Sequence, residues 1–313
     1  RSPVAGTVVA AAVLAQSVRW RFVAVRSSNE LRKSYARKAA SSASQAAAYM
    51  SLLQQACTHG MVHGVMNPIL LITGGGRGIG AALGLLAAER GYAVVLNYRH
   101  DAQAAEAVAA RIRERGGQAL TVAADVSQEA EVERLFATVD QNLGRLSVLV
   151  NNAGIVAPSC RVDGMDAARV SRMFAVNVVG SFLCAREAIR RMSRRHGGSG
   201  GSIVNVSSAA AKHGSAGEYV DYAASKAAID TFTLGLAREV AAEDIRVNAV
   251  RPGIISTDIH ADSGDPARAV RMGPSLPMQR AGEPEEVARA ILWLCSAEAS
   301  YCTGAILDVS GGR

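Results

Sequence analysis

The chain has 313 residues, 49% of them hydrophobic and 4% aromatic, which is enough apolar matter for one large or two ordinary globular domains. Its formal charge of +7 lies at one end: Arg1, Arg19, Arg21, Arg26, Arg32, Lys33, Arg37 and Lys38 face Glu30 alone before Met66, so residues 66–313 balance to zero. A neutral body argues against a nucleic-acid groove. No apolar run approaches the roughly 20 residues that span a bilayer, and five scattered cysteines without paired spacing argue against a metal site or a disulfide framework.

Residues 1–65 are rich in Ala, Ser and Arg and poor in acids. They read as a disordered leader or an upstream extension of the reading frame, with Met61 and Met66 just ahead of the first strand. On that reading the protein is cytoplasmic; the same composition also resembles a transit peptide, which would send it to an organelle. From residue 66 the pattern predicts one domain in which strands and helices alternate. Strands are expected at Ile69–Thr73, Ala93–Tyr98, Ala119–Ala123, Leu146–Val150, Ser202–Val206, Ile245–Val250 and Ala305–Val309. Helices are expected at Ile79–Glu89, Asp101–Arg115, Gln128–Asn142, Asp166 to about Arg195, Tyr219–Ala241 and Glu283–Ser296, with an irregular segment at Pro252–Gly282. Strands separated by helices of ten or more residues give βαβ units. The expected fold is therefore α/β, a Rossmann-type, doubly wound, seven-stranded parallel sheet with helices on both faces and the ligand crevice at the carboxyl ends of its strands.

The first of those strand ends carries Thr73-Gly74-Gly75-Gly76-Arg77-Gly78-Ile79-Gly80. Glycines let backbone approach a pyrophosphate, and the start of the following helix favours negative charge. Later strand ends carry Asp125-Val126, where a carboxylate would reach an adenine amino group or else cap the next helix, and Asn151-Asn152-Ala153-Gly154, a polar turn beside the crevice. Ser207-Ser208 ends the fifth strand. Tyr222 and Lys226 follow on a helix at i and i+4, so they share a face. A lysine cation beside a phenol favours phenolate, which would bring Tyr222 towards working pH as a general acid or base.

With these residues in order, the chain resembles the short-chain dehydrogenase/reductase family from about Ile69 to Gly312. The resemblance rests on the glycine turn, Asp125, Asn151–Gly154, Asn177, Ser208, Tyr222 and Lys226. Pro252-Gly253 with Thr257 and the closing Asp308–Gly312 complete it. The runs Gly217–Tyr222 and Met278–Arg280 are similar to a branch described as glucose 1-dehydrogenase-like or 3-oxoacyl-carrier-protein-reductase-like. The resemblance implies that Ser208 (Ser207 is the alternative) holds the substrate oxygen and Tyr222 exchanges its proton. It further implies that Lys226 holds the nicotinamide ribose and tunes Tyr222, that Asn177 anchors a water relay, and that Thr257 meets the nicotinamide carboxamide. Gly74, Gly76, Arg77, Gly78, Ile79, Gly80, Asn152, Ala153, Gly154, Pro252 and Gly253 complete the cofactor set, with Asn97, Arg99, Asp125 and Val126 beside them.

Strand two ends Asn97-Tyr98-Arg99 without the acid that would bind a ribose 2′-hydroxyl, and Arg77 and Arg99 suit a 2′-phosphate, which favours NADP(H) over NAD(H). The expected activity is hydride transfer between cofactor and a carbonyl or secondary alcohol: a sugar, a 3-oxoacyl thioester or a small ketone. A non-catalytic NAD(P)-binding regulator is the alternative. The family also implies a homotetramer or homodimer paired through the helices around Asp166–Arg195 and Tyr219–Ala241, with no metal, nucleic-acid or membrane partner.

Overall fold

A computed structural model describes residues 67–313, and the leader with Cys57 lies outside the described residues. Seven strands run β1 (Ile69–Ile72), β2 (Ala93–Tyr98), β3 (Ala119–Ala123), β4 (Val148–Asn151), β5 (Gly201–Val206), β6 (Ile245–Pro252) and β7 (Ile306–Val309). They form one sheet in the order β3-β2-β1-β4-β5-β6-β7, and every pairing is parallel. The order reverses between β1 and β4, so the crevice expected of a doubly wound sheet opens there.

Strand period explains why helices cover both faces. Leu71, Val95, Leu149, Ile203 and Val247 point one way and pack with Phe136, Ala185, Leu236 and Val240. Those partners lie on α3 (Glu129–Asn142), α5 (Gly180–Met192) and α7 (Val220–Val240). Leu70, Ile72, Val94, Leu96, Val150 and Val204 point the other way, against Leu83, Val108, Ile112, Ile291 and Leu292. These sit on α1 (Gly78–Glu89), α2 (Ala102–Glu114) and α10 (Pro284–Cys295). Residues 67–313 form one unit of contacts around this sheet. Cys184 and Cys295 are buried in it, and burial pushes both thiols up to about 12.

The structure departs from the sequence pattern in several places. β4 starts two residues later than expected, at Val148, and ends one residue later, because Asn151 still pairs with Asn205 of β5. β6 continues to Pro252, held by Val309 of β7, on which side the missing proline N–H costs nothing to the ladder. The long helix expected from Asp166 is interrupted: α4 (Ala167–Phe174) and α5 are joined by a π-turn at Ala175–Val179. The segment expected to be irregular holds two short helices, α8 (Ile259–Asp262) and α9 (Arg268–Met272), and a further short helix, α6 (Ala210–His213), follows β5.

Candidate active site

At the carboxyl end of β1 the chain turns through Gly74 and Gly78, both at positive φ (66° and 52°), where a side chain would be strained. The turn is held by its neighbours. Thr73 Oγ1 accepts from the backbone N–H of Asn152 and Ala153 at 3.0 and 2.9 Å. Asn152 Nδ2 donates to the carbonyls of Thr73 and Gly74 at 2.9 Å each. Gly80 has no room for a larger residue, since a Cβ there would fall 2.3 Å from the Gly74 carbonyl oxygen. No side chain caps α1 and no acid lies in its first turn, so its first N–H groups remain available for an anion. Main chain that approaches closely, an uncapped helix start and no competing carboxylate fit a dinucleotide pyrophosphate.

One cavity of about 590 Å³ runs from this turn to the Tyr222 phenol. Gly74, Gly76, Arg77, Gly78, Ile79, Asn97, Arg99, Asp125, Val126, Asn152, Ala153, Gly154, Ser208, Tyr222, Lys226, Pro252, Gly253 and Thr257 all line it. Gly80 and Asn177 stand behind the lining. Gly80 makes the turn compact, whereas Asn177 sits at the centre of the π-turn and is buried. Its Oδ1 accepts from Ile155 N–H at 2.8 Å, and its Nδ2 donates to Ile155 O at 3.0 Å and Ser225 Oγ at 3.1 Å. The π-turn thus ties β4's exit loop to the helix that carries Tyr222.

Ser207 and Ser208 are distinguished by their surroundings. Ser207 is buried, and its hydroxyl donates to the Lys226 carbonyl at 3.1 Å. Ser208 Oγ accepts from Ala210 N–H at 3.1 Å, and its hydroxyl lines the same cavity as the Tyr222 phenol, whose pKa it lowers. Lys226 Nζ lies 5.7 Å from the Tyr222 ring centroid, donates to the Val206 carbonyl at 2.8 Å, and would stand 3.4 Å from a Cβ at Gly154. Burial lowers the Lys226 ammonium to about 8, with the Asp230 carboxylate opposing. The sequence argument expected Lys226 to lower the Tyr222 pKa. The structure differs: burial raises the phenol above its ordinary value, and the Ser208 hydroxyl is the group that opposes it.

The adenine end departs from expectation in how its charges are engaged. Asp125 is neither an open carboxylate nor the cap of α3, whose N-cap is Gln128. Its Oδ2 meets Arg99 Nε at 2.8 Å and Arg172 Nη2 at 3.2 Å, and its Oδ1 accepts from Ser127 N and Oγ. Against the opposing effect of burial, Ser127 and Arg172 hold its carboxyl below the usual range. Asn97 is likewise occupied, donating to Val122 O and Ala124 O between β2 and β3. Arg77 pairs with Asp262 of α8 at 2.6 Å, joining the glycine turn to the segment that closes the cavity. Arg172 lines the cavity and was missed in sequence; nothing local marks it, because its partner lies 47 residues away.

Fold, glycine turn and Ser-Tyr-Lys cluster together define a nicotinamide-dependent oxidoreductase of the Rossmann type. The comparisons agree. A family model described as enoyl-(acyl carrier protein) reductase matches residues 74–313. The chain is 53% identical over 245 residues to an uncharacterized oxidoreductase, YgfF, of Escherichia coli, covering 78% of this chain and 99% of that protein. Among solved structures it is similar to a short-chain type dehydrogenase/reductase from Mycobacterium marinum, at 34% identity and a TM-score of 0.74 over 79% of this chain and 96% of that one. A short chain dehydrogenase from Burkholderia cenocepacia, solved in complex with NADP, matches at 31% identity and a TM-score of 0.72 over 79% and 98%. This chain belongs to the short-chain dehydrogenase/reductase family, whose members are NAD(P)-binding oxidoreductases.

Proposed function

We propose that the protein interconverts a carbonyl and a secondary alcohol with NADP(H), using Ser208, Tyr222 and Lys226. The observation that carries this is the placement of all three in the same cavity as the glycine turn. In the reducing direction a bound nicotinamide supplies hydride to the carbonyl carbon. Ser208 orients the carbonyl oxygen, and Tyr222 gives that oxygen its proton. The raised phenol pKa keeps Tyr222 protonated before the step, and the nearby Lys226 ammonium stabilises the phenolate left after it. Asn177 and Ser225 hold the backbone that frames these groups.

NADP(H) is favoured over NAD(H) because Arg77 and Arg99 line the cavity, while of the carboxylates lining it after β2 and β3, Asp101 caps α2 and Asp125 is neutralised by two arginines. The NADP-bound relative supports the same preference. Asp125 on this reading positions Arg99 and Arg172 and leaves the adenine to other groups. Self-association is proposed through α5 and α7, where Phe182 stacks on Phe232 with centroids 3.8 Å apart while Phe182, Val179 and Leu234 stay exposed. Sedimentation as a monomer at micromolar concentration would remove that part.

The decisive assay follows NADPH and NADH consumption by the full chain across 3-oxoacyl thioesters, aldose lactones and vicinal diketones, with Tyr222→Phe as control. Turnover with NADPH, lost in the variant, is expected. Tight NADPH binding with no turnover on any class would instead support the non-catalytic regulator.

A further inference from the structure

Besides the glycine turn and the catalytic cluster, the cavity is lined by residues from four segments of the chain. His213 comes from α6, Tyr219 from the loop before α7, Arg268 from α9 and Arg313 from the end of the chain. Arg268 is built in. Its side chain is 11% exposed, pairs with Glu218 at 2.7 Å and lies over the Tyr219 ring at 5.2 Å. The segment carrying Arg313 is also fixed: Met278 N–H donates to Gly311 O, and Ser310 Oγ donates to the Arg313 carbonyl at 3.0 Å. Among the described residues, the Arg313 guanidinium has neither a hydrogen-bond acceptor nor an ion-pair partner. Burial and the like charge of Arg268 both push its pKa down, with Glu218 alone opposing. His213 carries no compensating charge, because burial together with Arg313 holds it below its ordinary value, which leaves the imidazole neutral at neutral pH.

Arg268 has Glu218 at 2.7 Å and Asp265, shared with Arg271, at 4.0 Å, whereas the Arg313 guanidinium beside it, partly withdrawn from water and facing the cavity, is matched by no acceptor among the described residues. Such an arrangement is costly unless an anion completes it. We propose that the substrate carries, beyond its carbonyl, an anionic oxygen group (a carboxylate or a phosphate) that is seated by Arg313 and Arg268. This rests on the oxidoreductase reading above and narrows it: neutral sugars and simple ketones become poor substrates, and oxo acids or phosphorylated carbonyl compounds become good ones. A guanidinium meets either oxyanion through paired N–H donors, and Tyr219 and Glu218 fix the fork of Arg268 in place. Because the contact is present in ground and transition states alike, it acts on KM more than on kcat.

The test compares oxo acids with their methyl esters, alongside a neutral vicinal diketone and a phosphorylated ketone, using the full-length protein and NADPH. The wild type is expected to favour the acid over its ester by roughly ten- to a hundredfold in kcat/KM, the range of a hydrogen bond to a charged group. Arg313→Gln, which removes the charge and keeps a side chain of similar length, should collapse that ratio through KM; Arg268→Lys, which keeps the charge but not the fork, should lower it less. Preference for the phosphorylated ketone over the oxo acids would name phosphate as the anion. Turnover of ester or diketone equal to that of the acid, or an acid preference untouched in both variants, would overturn the anion site while leaving the oxidoreductase standing. No turnover of any compound, with no thermal shift by the oxo acids or the phosphorylated ketone in the presence of NADPH, would overturn both.

Discussion

The wall of the cavity around the glycine turn is made of main chain, whereas the wall around Arg268 is made of side chains on loops. In the first, Thr73, Asn152 and Asn97 spend their polar atoms on backbone groups at the ends of β1, β3 and β4. In the second, position depends on Arg268 holding Glu218 and Tyr219 and on a tail pinned by Ser310. A wall of main chain recognises what every relative must bind, because backbone N–H groups survive substitution of most side chains. A wall of side chains can change ligand with one or two substitutions. Tyr222 and Lys226 stand where the two meet, on a helix anchored to the sheet by Ser207 and Val206.

That contrast can be broken by substitution. The largest effect is expected at the junction: Tyr222→Phe should cut kcat by roughly a hundred- to ten-thousandfold with NADPH affinity retained, read by steady-state kinetics and fluorescence titration. Should NADPH affinity collapse as well, the residue belongs to the cofactor wall. Lys226 offers a pH test at the same junction. Its folded pKa of about 8 lies below the unfolded 10.5, so burying it as an ammonium costs stability below pH 8. The unfolded chain binds the extra proton between pH 8 and 10.5, and stability from this group rises across that window. Urea denaturation should therefore show wild type gaining on Lys226→Met by on the order of 3 kcal/mol over that range. A flat difference would mean that the ammonium is better solvated than its burial implies.

Smaller effects are expected on the cofactor wall itself. Arg99→Ala should weaken NADPH roughly tenfold or more while sparing NADH, measured by parallel titrations; equal losses for both would assign Arg99 to holding Asp125 alone. Gly80→Ala must displace the Gly74 carbonyl or Asn152, costing about 1–3 kcal/mol in a denaturant melt together with affinity for both cofactors. Smallest is the serine pair. Ser207→Ala should cost about 1 kcal/mol of stability with little change in kcat, whereas Ser208→Ala should reduce kcat with stability retained. The reverse pattern would exchange their roles.

Much of this was legible before any coordinates. Short, fully apolar runs alternating with amphipathic helices define a parallel, doubly wound sheet, because that arrangement buries strands such as Leu70–Ile72 on both faces. Tyr222 and Lys226 at i and i+4 share a helix face by geometry alone, and the glycine turn marks an anion site wherever it falls between strand and helix. Charge partnership was not legible. Asp125 looked open in sequence because Arg99 and Arg172, 26 and 47 residues away, reach it only after β2, β3 and α4 assemble. The π-turn at Asn177 was hidden for a similar reason: it is set by hydrogen bonds to Ile155 and Ser225, with no residue in the helix itself to signal it. The Tyr222 pKa went the other way from the sequence argument because desolvation depends on everything packed around the phenol, and that is a property of the fold. Local sequence determined the elements, their order and the backbone of the cofactor turn, since those follow from short-range sterics and periodicity. Tertiary structure alone decided which charges meet and which are left unpaired, since Coulomb and desolvation energies depend on distances the folded chain creates.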